Sequence, residues 1–266
     1  MLSNTWMEKQ HNTDLRRMFF RDLFRILLSL SRTPLPCIGS FIIDREGFLA
    51  LSNRPLSKEL QELENEEIPT GISRDYTYLS VESYMADILA VHDSRLRSQP
   101  NAVNNLQDCG YQMLAPAAMR TILPLFLCRN LRRGPFAFML TDLHQSNIFV
   151  DEKWHITCLV DREWACSRPV QIIEPPYWLT NQGVDEVDVE GFDKLRQELM
   201  IIMCAEEAEQ YGEDILRDPE GTPLRTSEIM EQAWKTGTFW YSLALSSPTG
   251  PFRLFYEHIQ PLLSMV

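Results

Sequence analysis

The stretch Phe138-Met139-Leu140-Thr141-Asp142-Leu143-His144-Gln145-Ser146-Asn147-Ile148-Phe149-Val150-Asp151 lies near the middle of a 266-residue chain, and its reading decides the fold. Ile148-Phe149-Val150 is a short apolar run, and residues 156–160 form a second. Asp151-Glu152-Lys153-Trp154 between them supplies turn chemistry, so the two runs pair as a hairpin. Asn147 stands just before the first strand and Asp161 just after the second. An antiparallel pair brings those two positions to the same end. Asp142 reaches that end through a short loop. Two carboxylates and an amide are thereby gathered, a hard oxygen set that suits Mg²⁺. This ion takes one or two carboxylates and fills its shell with water and substrate phosphates. A carboxylate off the metal can orient a hydroxyl nucleophile, and phosphoryl transfer asks little more of a protein than positioning and charge neutralisation. Singly, an Asp or Asn in a loop is an ordinary turn former. The specificity lies in the combined spacing.

Outward from this centre, helical periodicity predicts a helix over residues 14–30 with Thr13 as N-cap, ended by Thr33-Pro34-Leu35-Pro36. Two short strands, 38–43 and 48–51, follow around the turn Asp44-Arg45-Glu46-Gly47. Residues 55–74 read as charged and irregular, with the acidic run 62–67 a solvated surface. Further helices are predicted at 80–97 and 113–129, where Pro124 marks a kink or an earlier end, with 98–110 a loop between them. After the strand-rich centre, 136–160, comes a Pro-punctuated segment, 168–179. Helices are then expected at 190–211, 227–245 and 251–263, with Phe239-Trp240-Tyr241 as core packing. The whole reads as one mainly helical α+β domain over residues 1–266, with its catalytic loop and metal hairpin at 138–164.

Composition narrows the class. Hydrophobic residues make up 44% and charged residues 23%, as in an ordinary globular chain. A net charge of −12 argues against nucleic acid or an anionic membrane surface as partner. Six scattered cysteines without metal spacing read as reduced and mostly buried, and the N-terminus lacks an apolar signal core. A soluble, cytoplasmic protein is expected.

The segment Thr141-Asp142-Leu143-His144-Gln145-Ser146-Asn147, followed by Leu159-Val160-Asp161-Arg162-Glu163-Trp164, resembles the aminoglycoside phosphotransferase family. That family lies within the kinase-like and choline-kinase-like fold, and the likeness is to its fungal members of uncharacterised substrate. Residues 35–41 look like the family's Gly-Ser hairpin segment. Met230-Glu231-Gln232-Ala233-Trp234-Lys235-Thr236-Gly237 is similar to a C-terminal helix of the fungal set. The resemblance implies Asp142 as the catalytic aspartate, and Asn147 and Asp161 as holders of Mg²⁺ against the phosphates of ATP. It places His144 in loop support or beside the substrate, and Glu163, at a position often acidic in the family, in substrate contact or in a structural hydrogen bond. The substrate would be a small hydroxyl compound, and an acidic lobe is compatible with a cationic one. Leu140 stands where the family has a histidine, and Arg162 where it has an apolar or aromatic residue.

Upstream of Asp142 there is no glycine-rich phosphate loop and no strand lysine of the kinase type. The resemblance therefore implies a helical lobe without its ATP-clamping N-terminal lobe, with weak or absent nucleotide binding. An apolar face exposed where that lobe would dock implies self-association. Two functions follow: an ATP- and Mg²⁺-dependent phosphotransferase, or a kinase-like remnant that binds without catalysing.

Overall fold

Apolar side chains recurring every three to four residues build the helices, and short β-branched and aromatic runs build the strands. In the computed structural model, residues 1–209, 216–247 and 250–263 are described. They run in the order α1 (Ser3–Lys9), α2 (Thr13–Ser31), β1 (Ser40–Ile43), β2 (Leu49–Asn53), α3 (Lys58–Asn65), α4 (Val81–Ser98) and α5 (Leu106–Ile122). Next come β3 (Phe136–Leu140), β4 (Ile148–Val150), β5 (Ile156–Leu159) and β6 (Ala165–Pro169). The chain then continues through α6 (Val189–Glu209), α7 (Thr226–Thr236), α8 (Thr238–Ser246), α9 (Pro251–Leu254) and α10 (Gln260–Leu263). The architecture is mainly helical α+β. Among the described residues the named strands pair two by two and antiparallel: β1 with β2, β3 with β6, β4 with β5.

Helix α2 carries Phe19, Phe20, Leu23, Phe24 and Leu28 into the core. Asn12, rather than Thr13, caps it, accepting from the backbone N–H groups of Asp14 and Leu15. Arg16 pairs with Glu198 at 2.6 Å, and Arg21 and Arg25 both reach the buried Glu206, which fastens α2 to α6. Among the described residues, no helix is long and apolar enough to cross a membrane.

Several boundaries differ from the sequence reading. Residues 3–9 form α1, anchored by wholly buried Leu2 and Trp6. Residues 58–65, expected to be irregular, form α3 behind the Ser57 cap, with Leu60 and Leu63 buried. Helix α5 starts at Leu106 because Asn105 caps it, and it ends before the single turn of 3₁₀ helix that holds Pro124. Its first turns face water, so they carry no apolar period. Residues 165–169, expected to lie outside the strands and to run into the Pro-punctuated segment, form β6 beside β3. The predicted helix 227–245 is two helices broken at Gly237, whose φ of +79° suits glycine. The helix predicted over 190–211 runs to Glu209, and its last two residues lie outside the described ones. Phe239, Trp240 and Tyr241 are core, as expected. The cysteines are not mostly buried: Cys37 and Cys166 are, whereas Cys128, Cys158 and Cys204 are exposed.

Candidate active site

The hairpin β4–β5 does what antiparallel pairing requires. Ile148 sits opposite Leu159, and one step further out the Val160 N–H donates to the Asn147 carbonyl at 3.0 Å. Asp161 follows in a left-handed conformation, φ +52°, which ends the strand. Asn147 and Asp161 therefore leave the same end of the hairpin, and both line a cleft of about 600 Å³ together with Asp142.

The loop between β3 and β4 is held from every side. The Thr141 hydroxyl donates to the Trp164 carbonyl, and the Trp178 indole N–H donates to the Leu143 carbonyl at 2.7 Å. Gln145 donates to the Asn181 side chain at 2.6 Å. His144 caps the single turn that presents Asn147, its Nδ1 accepting from the Ser146 N–H at 3.3 Å. Burial holds the His144 pKa below the ordinary histidine value, against the pull of Asp142, so the ring stays neutral at neutral pH and Nδ1 can accept. Its ring also lies edge-on to Trp178 and lines the cleft.

Asn147 is buried, and its Nδ2 donates twice to Asp142, to the backbone carbonyl and to carboxylate Oδ2, each at 3.0 Å. Both partners are acceptors, so the nitrogen must face them. The amide oxygen is left for other partners, and the Ser146 hydroxyl approaches it at 3.3 Å. The second oxygen of Asp142, Oδ1, accepts from Lys58 Nζ at 3.3 Å.

This arrangement can do two things chemically. Asp142 presents a carboxylate whose angle is fixed by Asn147, fit to accept a hydroxyl proton. Asn147 Oδ1 and Asp161, lining the same cleft, offer hard oxygens, a donor set whose chemistry fits Mg²⁺. Among the described residues, no three His, Cys, Asp or Glu side chains gather as a metal cage.

Glu163 is exposed and is not among the residues that line the cleft. Lys58 was missed by the sequence reading, as was Glu62, which also lines the cleft. The acidic run is therefore not simply a solvated surface: Glu62 faces the cleft and Glu64 pairs with buried Arg54. A readable signal existed. Ser57 followed by Leu60 and Leu63 is a cap followed by two apolar residues at helical spacing.

Compared with protein families, curated proteins and solved structures, the chain has no match.

Proposed function

We propose that this chain carries the helical lobe of a kinase-like fold and belongs with the aminoglycoside phosphotransferases. It would transfer a phosphoryl group from Mg²⁺-bound ATP to a hydroxyl of a small molecule. The observation that carries this reading is the Asn147 amide, whose nitrogen locks Asp142 while Asn147, Asp142 and Asp161 all line one cleft at the end of the β4–β5 hairpin. Bound Mg²⁺ would supply charge neutralisation at the phosphates, held by Asn147 and Asp161. Asp142 would orient the substrate hydroxyl and take its proton as the oxygen attacks phosphorus, while the bond to ADP breaks and ADP leaves with the electron pair. His144 and Trp178 keep the loop in register. The Glu62 and Glu174 carboxylates in the cleft favour a substrate bearing positive charge.

In the sequence given, the phosphate-gripping motifs are absent, so the chain supplies the metal and hydroxyl side of the reaction and weak nucleotide affinity is expected. Thermal denaturation with millimolar Mg²⁺-ATP tests this. The wild type is expected to shift upward by a small amount and Asp161→Ala not at all. ³¹P NMR with a panel of amino sugars and amino alcohols would then show a new phosphate ester that Asp142→Asn abolishes. Equal behaviour of wild type and Asp161→Ala, with no ester formed, sinks the proposal and leaves a non-catalytic binding protein.

A further inference from the structure

Lys58 lies far from the catalytic stretch in sequence, on the first turn of α3, yet its ammonium reaches Asp142 Oδ1 at 3.3 Å. A cation in the first turn of a helix opposes the helix dipole, so the position is not explained by helix stability. Nor is the ion pair a strong stabiliser, because the lysine side chain is 45% exposed. What holds it in place is the segment behind it. Arg54 is buried and donates to the Ile72 carbonyl at 2.7 Å and to Thr70 at 3.1 Å, while also pairing with Glu64 on α3. The Leu56 N–H donates to Ser40 at 2.7 Å, tying the start of the helix to β1. Leu60 and Leu63 bury its inner side. Lys58 is thus a half-exposed side chain on a fixed stem, lining the cleft.

The charge balance of that cleft gives the lysine a purpose. Its lining carboxylates are Glu62, Asp142, Asp161 and Glu174, and its lining side chains of fixed positive charge are Lys58 and Arg168. Arg168 donates to Ser246 at 3.0 Å, toward α8. A polyphosphate entering among four carboxylates needs cations at the reacting end. Lys58 is the one in contact with Asp142, the group that would receive the hydroxyl proton. We propose that Lys58 is the cation that holds the transferring phosphoryl group beside Asp142, exchanging its carboxylate partner for a phosphate oxygen when nucleotide is bound. This rests on the phosphoryl-transfer reading above and assigns it a residue from α3. In the free protein the same contact keeps the Asp142 charge compensated.

The test is binding, read by ³¹P NMR titration of the full chain with Mg²⁺-ATP and, separately, tripolyphosphate, which tolerates weak affinity. A charge-assisted hydrogen bond to a partly exposed lysine corresponds to about a tenfold change in affinity. Lys58→Ala is expected to weaken both ligands by about that factor, and Lys58→Arg to restore most of it. Lys153→Ala, an exposed lysine at the β4–β5 turn, is expected to change nothing, and equal thermal midpoints would establish that the variants fold. If Lys58→Ala binds both ligands as the wild type does while Asp161→Ala loses the Mg²⁺-dependent part, the lysine assignment is wrong and the phosphoryl-transfer reading stands. Tighter binding or faster transfer in Lys58→Ala would overturn the assignment differently, making the lysine a latch on Asp142. A wild type that binds neither ligand overturns both readings together.

Discussion

Asn147 shows how one amide can fix a site. Its nitrogen meets two oxygens of Asp142, and its own backbone carbonyl receives Val160, so loop and hairpin share a single residue. Asn147→Ala would leave the Asp142 acceptors less satisfied in a mostly enclosed place, at a cost of about 1–3 kcal/mol. A urea titration is expected to move its midpoint down without changing its slope. Asn147→Asp, nearly isosteric, would instead set two carboxylates together. It should be the worse of the two at pH 7 and recover toward acid pH.

A second residue sets a pH limit. His92 is buried with Nε2 against the Leu245 carbonyl, and burial pushes its pKa down to about 4. The unfolded histidine takes up its proton near pH 6.5, and the folded one does not until about 4. The folded state is therefore favoured fully above pH 6.5 and loses this contribution as pH falls toward 4, by up to about 3 kcal/mol. Denaturation midpoints of wild type and His92→Gln, measured across that range, should converge as the pH falls. Parallel curves would show that His92 titrates alike in both states.

At the scale of elements, the structure separates what pattern can reveal from what it cannot. Helices α2, α4 and α6 were legible because a broad apolar face faces the core, and the β4–β5 hairpin because two apolar runs flank a turn. Helix α1 was not, since only Leu2 and Trp6 anchor it and the rest of its surface is polar or exposed. Helix α3 escaped notice because its charged residues outnumber its two buried leucines, and with it went Lys58. Asp142, Asn147 and Asp161 were legible as a set, because the hairpin fixes two of them in space. Lys58 could not be, because its contact with Asp142 spans 84 residues. The break at Gly237 had a local signal that periodicity overrode. A Cβ there would stand 2.3 Å from the Leu262 side chain, on a left-handed backbone. Gly221 shares that backbone, φ +87°, with nothing near its missing Cβ. Gly221→Ala should cost about 1–2 kcal/mol from the backbone alone. Gly237→Ala should cost visibly more, and equal losses in thermal scans would mean that Leu262 moves aside freely.

At the scale of the fold, three two-stranded sheets lie among helices in the described residues, and no single sheet there organises the core. The strand pairs are supported unequally: much of β1–β2 is exposed, while β3 and β5 pack against α2. The site hairpin is also held by α1, where the Leu2 N–H donates to the Ile148 carbonyl at 2.8 Å. Such an arrangement should open its surface thiols without unfolding. Cys128, Cys158 and Cys204 are expected to alkylate under native conditions, and Cys37 and Cys166 only after denaturation. Mass spectrometry after a short iodoacetamide pulse reads this directly. Early labelling of Cys166, which sits on β6 beside β3, would indicate that the strand pair leading into the Asp142 loop opens on its own.

The aromatic cluster beneath the hairpin has an optical consequence. Trp6 stacks on Trp154 at 5.2 Å and meets Trp178 edge-on at 5.6 Å, so three of the six tryptophans form one coupled group. Trp178 is also hydrogen-bonded to the loop between Asp142 and Asn147. The protein thus carries its own dye at the place where ligands would act. Any event that shifts the loop should alter the ultraviolet emission of that group, so occupancy of the cleft can be followed in unlabelled protein by light alone.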